Sequence, residues 1–190
     1  MKETILVVGL GNPGKEYERT PHNMGRLAVS LWTQERRFPE FCPEKKFSAQ
    51  TSENATGEQK TIAILPETFV NKSGDAVAAI AGFYKIRPEN IWVAHDDIDI
   101  PLGNVRAAFG GGSAGHHGIE SVVEKLGTAN FWRFRVGIAP AVPLAIPLDA
   151  YVLRKNAISE EDANRILAKI KMLLSLALAE GPKRAQDASN

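Results

Sequence analysis

The sequence predicts an α/β protein: a single-domain, three-layer globule with a central mixed, mostly parallel sheet flanked by helices. Three observations carry this. Thr4–Leu10 (TILVVGL) and Ile91–His95 are unbroken apolar runs, the pattern of strands covered on both faces. Stretches with apolar residues at helical spacing stand between such runs, and that alternation is the signature of a layered sheet-and-helix fold. The chain's 190 residues, 44% hydrophobic and 24% charged, suit one domain with a substantial core, and no internal repeat is visible.

Each element follows from local chemistry. After the first strand, Gly9, Gly11, Pro13 and Gly14 make a turn-rich stretch, and Asn23 is placed to cap a helix carrying Leu27, Leu31 and Trp32 on one side. Phe47–Thr51 and Thr61–Leu65 read as short strands joined by the polar loop Ser52–Gln59. Gly74–Ile86 spaces Val77, Ile80, Ala81 and Tyr84 as one helical face, and Ile91–His95 runs into the acidic cluster Asp96, Asp97 and Asp99. The glycine-rich Gly110–Gly118 leads into a helix holding Ile119, Val122, Val123 and Leu126. Phe131–Ile138 alternates large apolar residues with Arg133 and Arg135, a strand with one polar face. Ala139–Ala150, with Pro140, Pro143 and Pro147, is a mobile-loop candidate. The last helix opens on Ser159 and Asp162 as a capping box, buries Ile166, Leu167, Ile170, Leu173 and Leu174, and stops at Gly181-Pro182. The domain is therefore expected over residues 1–182, with 183–190 a frayed, flexible tail.

Composition narrows the function. No apolar run reaches the roughly 20 residues that span a bilayer, so no membrane partner is expected. One cysteine, Cys42, allows no intrachain disulfide. With an N-terminus that opens straight into a strand, this points to the cytoplasm. Twenty-three basic side chains against 22 acidic ones leave a net charge of +1. A nucleic-acid binder ordinarily carries a basic excess, so an RNA partner has to be argued from specific residues.

Gly9-Leu-Gly11-Asn-Pro-Gly14 is a literal G-x-G-x-x-G after a strand, but Pro13 and Pro21 deny it the helix that a dinucleotide site requires. The reading as a tight turn is the better one. The histidines say more. His95, at a strand end, reads as structural, whereas His22 lies among turn residues with no apolar periodicity to claim it. Open α/β sheets deliver chemistry at the carboxyl ends of their strands. That rule brings Asn12, His22 and Asp96 to one rim. A carboxylate that accepts a hydrogen bond from one imidazole nitrogen lets the other take a proton from water. No serine or cysteine sits in a nucleophile elbow, so water activated by His22 is the economical attacking group. No metal is expected, because the adjacent His116 and His117 diverge and no H-x-x-x-H spacing occurs.

Gly9–Gly14 with Tyr17, Thr20 and His22-Asn-Met-Gly25 resembles the opening signature of the bacterial peptidyl-tRNA hydrolase family. Pro66–Gly74, His95–Gly103, Gly110–Gly118 and Phe131–Ile138 are similar to its later motifs, in order and spacing, from about Leu6 to Leu153. The resemblance implies a monomer that needs no cofactor and hydrolyses the ester between a peptide and the 3′ ribose of tRNA, recycling tRNA from aborted translation. It implies His22 as general base, Asp96 as the group that keeps it basic, and Asn12 as the contact to the first peptide-like carbonyl. Asn71 would hold substrate and help place the water or oxyanion. Tyr17, Phe69 and His117 would line the site for the 3′ end, His116 would stand on its rim, and Arg135 would meet phosphate.

Departures from the family pattern cluster on the tRNA side. Pro21 replaces an arginine, Ala107-Ala108 stand where relatives carry a lysine, and residues 139–150 include no basic side chain. His117 replaces an asparagine and Val70 a methionine. The chain is accordingly expected to bind tRNA weakly or to rely on Arg106, Arg133, Arg135, Lys183 and Arg184. The competing expectation is a catalytically weak or inactive RNA-binding module on the same scaffold. The quartet Asn12, His22, Asn71 and Asp96, which a pure binder does not need, stands against it.

Overall fold

The computed structural model describes residues 3–57 and 59–190. Among these, seven strands form one mixed sheet in the order β2-β3-β4-β1-β5-β7-β6. They are β1 (Glu3–Gly9), β2 (Cys42–Glu44), β3 (Ala49–Thr56), β4 (Gln59–Pro66), β5 (Ile91–Pro101), β6 (Val105–Phe109) and β7 (Trp132–Ala139). The central four, β4, β1, β5 and β7, are parallel, and antiparallel pairs flank them on both sides. The helices are α1 (Met24–Glu35), α2 (Ser73–Tyr84), α3 (His117–Leu126), α4 (Leu148–Val152), α5 (Glu160–Glu180) and α6 (Pro182–Ser189).

The apolar run of β1 shows why the sheet has a layer on each side. Successive side chains alternate faces. Ile5 and Val7 join Trp32 of α1, Phe134 of β7 and Ile170 of α5, while Leu6 and Val8 join Ile80 of α2 and Ile119 of α3. Ser159 caps α5 by accepting from the Asp162 N–H at 3.1 Å, and the five apolar residues read as its stripe are all buried.

Several expectations are corrected. β3 and β4 run beyond the short strands read from the sequence, through most of the polar stretch 52–59, because alternating polar residues suit a half-exposed pair of strands; Glu58 of that stretch lies outside the described residues. β5 continues six residues past His95, so Asp96 and Asp97 are interior strand residues. Gly181-Pro182 ends α5, yet proline also suits a helix's first turn, and 183–189 fold into α6 instead of fraying. Ala185 is fully buried, and the Ala107 N–H of edge strand β6 donates to Ser189 Oγ at 2.9 Å. The proline-rich segment 139–150 ends in α4, whose Tyr151 hydroxyl donates to the Ile138 carbonyl at 2.9 Å.

The fold places the reactive end of the sheet through one close approach. A Cβ on Gly25 would lie 2.2 Å from the Ala94 carbonyl oxygen, so only glycine lets α1 start directly against β5. Gly25→Ala is expected to destabilise by about 3 kcal/mol, the upper end of the usual cost of overpacking, because the atom it meets is backbone. Urea unfolding checks this, and unchanged stability would mean that α1 can shift freely.

Candidate active site

Construction begins at the turn after β1. Asn23, expected to cap α1, makes no side-chain capping bond. Its amide instead brackets the Asn12 backbone: Asn12 N–H donates to Asn23 Oδ1 and Asn23 Nδ2 donates to the Asn12 carbonyl, both at 2.9 Å. This two-bond clasp fixes the glycine turn against the start of α1. The side chain of Asn12 is oriented as well. Its Oδ1 accepts from the Val70 N–H at 2.9 Å, which leaves the NH2 as the group able to donate to a substrate carbonyl. Asn71, the next residue, is exposed on the short 3-10 turn Val70–Lys72 that leads into α2.

His22 stands in the 3-10 turn Pro21–Asn23, with Pro21 presetting the first helical dihedral. Its Nδ1 meets Asp96 at 2.9 Å from Oδ1 and 3.0 Å from Oδ2. The same Oδ1 lies 2.9 Å from His116 Nε2. His116 is the N-cap of α3, and its Nδ1 accepts from the Gly118 and Ile119 N–H groups at 3.0 and 3.2 Å. A nitrogen that accepts two N–H bonds carries no proton. The proton of neutral His116 is therefore on Nε2, donated to Asp96. An ionised carboxylate only accepts, so His22 in turn donates from Nδ1 and keeps Nε2 as a free basic nitrogen.

Electrostatics follow from the same bonds. Burial opposes ionisation of Asp96, but the contacts and hydrogen bonds that His116 and His22 make to its carboxylate outweigh it and hold the carboxyl well below the usual range. For His22, desolvation lowers the basicity, and the hydrogen bond and charge of Asp96, helped by Asp149, overcome it and leave the imidazole more basic than usual. His95 is fully buried. Desolvation lowers its basicity and keeps its imidazole neutral, and its Nδ1 donates to the Asp96 carbonyl at 2.7 Å. That agrees with the structural reading of this residue.

His22, Asp96 and His116 border a pocket with Ser113–Gly115 and His117 on its glycine-loop side. Ile98, Ile138, Leu148 and Val152 form an apolar opposite wall, with Asp149 among them. Tyr17 and Phe69 make an edge-to-face pair with ring centroids 6.3 Å apart, and Phe69 is 58% exposed. His22, Asp96 and His116 could also be viewed as a metal triad. However, His116 Nδ1 already accepts two backbone N–H bonds, so its proton is on Nε2, and that nitrogen offers the site no lone pair for a metal. The arrangement is that of a proton-linked array.

Three placements differ from the sequence reading. His116, expected on the rim, is the buried centre of the array, and His117 is exposed at the pocket edge with Nδ1 3.1 Å from Glu120 Oε2. Adjacent residues point in different directions, and capping α3 takes the first of them inward. Arg135, expected to meet phosphate, gives its Nε to the buried Asp97 at 2.7 Å. Arg133, read on a polar face, is 5% exposed and bonds the Gly112 carbonyl, stapling the glycine-rich loop to β7. Lys183 and Arg184 pair with Asp187 and Glu180, so of the five basic residues considered for tRNA only Arg106 is both exposed and outside an ion pair among the described residues. The sequence reading did not identify Asn23's clasp, Asp149 or the apolar wall. For Asn23 the signal was present in its position directly after His22.

The family model described as "Peptidyl-tRNA hydrolase" matches residues 6–190. Peptidyl-tRNA hydrolase of Neisseria gonorrhoeae is 48% identical over 141 residues, 73% of this chain and 72% of the relative. That of Nitratidesulfovibrio vulgaris is 42% identical over 140 residues, 70% of each chain. The crystal structure of peptidyl-tRNA hydrolase from Acinetobacter baumannii superposes with a TM-score of 0.82 at 30% identity, covering 98% of this chain and 96% of that one.

Proposed function

The chain belongs to the peptidyl-tRNA hydrolase family and is an ester hydrolase of peptidyl-tRNA; we propose that it cleaves the ester with a water activated by His22. The observation that supports this most is the contact of His22 Nδ1 with both Asp96 oxygens, from which it follows that Nδ1 carries the proton and Nε2 is left as the base. Nε2 takes a proton as the water oxygen bonds to the ester carbonyl carbon, and the imidazolium that forms is stabilised by Asp96. Collapse of the tetrahedral adduct breaks the bond to the ribose 3′ oxygen, which recovers the proton from His22. No metal or other cofactor enters these steps.

Selectivity is assigned to amide side chains. The oriented NH2 of Asn12 donates to the carbonyl that a peptidyl or N-acyl group has and a free aminoacyl group lacks. Asn71, exposed beside it, holds substrate and helps place the water. Tyr17 and Phe69 offer a face for the terminal nucleotide, with His117 at the pocket's edge. The protein works as a monomer in the cytoplasm. Among the described residues no helix is long and apolar enough to cross a membrane.

The test is incubation of the protein, with chelator present, with N-acetylaminoacyl-tRNA and separately with aminoacyl-tRNA. Release of the acetylated amino acid alone is the expected result. Binding of tRNA with release of neither would make the chain a binding module on this scaffold, and loss of release on chelation would restore the metal reading.

A further inference from the structure

We propose that His116 is a positioning residue for hydrolysis: by capping α3 through Nδ1 it is locked as the Nε2–H tautomer, and this lock fixes both the orientation of Asp96 and the basic nitrogen of His22. The inference rests on the reading of His22 as general base and assigns His116 a function other than substrate contact on the rim. Several observations support it. The side chain is 6% exposed and has both nitrogens engaged, Nδ1 by the Gly118 and Ile119 N–H groups and Nε2 by Asp96 Oδ1. A proton on Nδ1 would turn the acceptor of two backbone N–H bonds into a donor facing them, so the tautomer that caps α3 is the one with its proton on Nε2. Its place is enforced on other sides as well. A Cβ on Gly118 would lie 2.8 Å from His116 Cε1, so only glycine fits two residues after it, and the His95 ring packs edge-on with centroids 4.9 Å apart.

The consequence is a one-directional chain of donors. α3 backbone N–H groups donate to His116, His116 donates to Asp96, and His22 donates to Asp96. The carboxylate cannot turn away from His22 without losing the His116 bond, and His116 cannot turn without uncapping a helix. The groups that face His22 are then Asp96 on β5, His116 at the start of α3 and Asp149 on α4, and of these Asp96 and Asp149 raise its basicity directly. His95 stands neutral behind His116, and Asp97 is occupied by Arg135.

Two substitutions separate this function from simple helix capping. Asparagine at 116 puts an acceptor where Nδ1 was but reaches no further, so His116→Asn keeps the cap and removes the donor to Asp96. Glutamine reaches the position of Nε2, so His116→Gln keeps that donor and loses the cap. With N-acetylaminoacyl-tRNA as substrate, His116→Asn is expected to unfold near the wild-type temperature and to lose about tenfold in kcat with little change in KM. The acid limb of its pH profile should move upward, because a carboxylate relieved of one donor holds the His22 proton harder. His116→Gln is expected to recover much of that rate while unfolding at a lower temperature. The imidazole 15N shifts of the wild-type protein should report His116 protonated at Nε2 only. Wild-type kcat and pH profile in His116→Asn, or an Nδ1–H signal, would overturn the proposal. A wild-type protein inactive on this substrate would instead overturn the functional reading, and the 15N result would still stand or fall by itself.

Discussion

His22→Ala is expected to lower kcat for N-acetylaminoacyl-tRNA by about 10²–10⁴-fold, the span that a positioned general base contributes, with the fold and tRNA binding retained. The side chain is half-buried on a 3-10 turn whose backbone does not depend on it, and the α1 start is fixed instead by Gly25 and the Asn12–Asn23 clasp. The pH dependence of the wild-type rate makes the same point. A base must be unprotonated to act, and Asp96 and Asp149 overcome burial to raise this imidazole above its usual 6.5. The acid limb of kcat/KM should therefore titrate above 6.5 and be absent from the residual rate of His22→Ala. Because the shift is upward, the His22–Asp96 contact stabilises the native state most below pH 6.5, and that contribution is lost as pH rises through the folded-state value, just as the base becomes active. Near-normal turnover in His22→Ala would end the general-base assignment.

How far the sequence reveals this site depends on what each residue's own neighbourhood encodes. The apolar runs of β1 and β5 identify buried strands because nothing else uses consecutive apolar residues that way, and the carboxyl-end rule then brings His22 to Asp96 across 74 positions. Periodicity is silent about what a polar side chain does once placed. Asn23 has the identity and position of a helix cap, and it is claimed instead by a backbone eleven residues earlier. His116 and His117 are indistinguishable as letters, and only the start of α3 decides which ring turns inward. That Arg135 also has an acidic neighbour is invisible until β5 continues past His95 and sets Asp97 beside its Nε. α6 is short and polar, so its docking on β6 through Ala185 and Ser189 leaves no hydrophobic stripe to read.

Asp96→Asn is expected to cost more than removal of a charge would suggest, because the neighbours dictate how the new amide must sit. His116 is obliged to donate from Nε2 while it caps α3, so the carbonyl oxygen of that amide must face it. The amide NH2 then takes the place of Oδ2, 3.0 Å from His22 Nδ1, so Nδ1–H could keep its 2.9 Å bond to Oδ1 only with an N–H group facing it. His22 can satisfy that donor only by giving up the Nδ1 proton, which moves its own proton to Nε2, the nitrogen that should take one from water. The variant thus holds its base in the wrong tautomer at every pH where the ring is neutral. A kcat loss of about 10³–10⁴-fold is expected, and raising the pH should not restore it. Stability changes in the opposite sense to simple charge removal at acid pH. The ionised Asp96 carboxyl is favoured in the native state, so the stability it adds is present above the ordinary carboxyl value of 3.8 and is lost as pH falls through the depressed native value. The substitution should therefore flatten the acid side of the stability curve while abolishing turnover. If Asp96→Asn instead keeps most of its rate at high pH, the carboxylate does no more than raise basicity, and the tautomer argument fails.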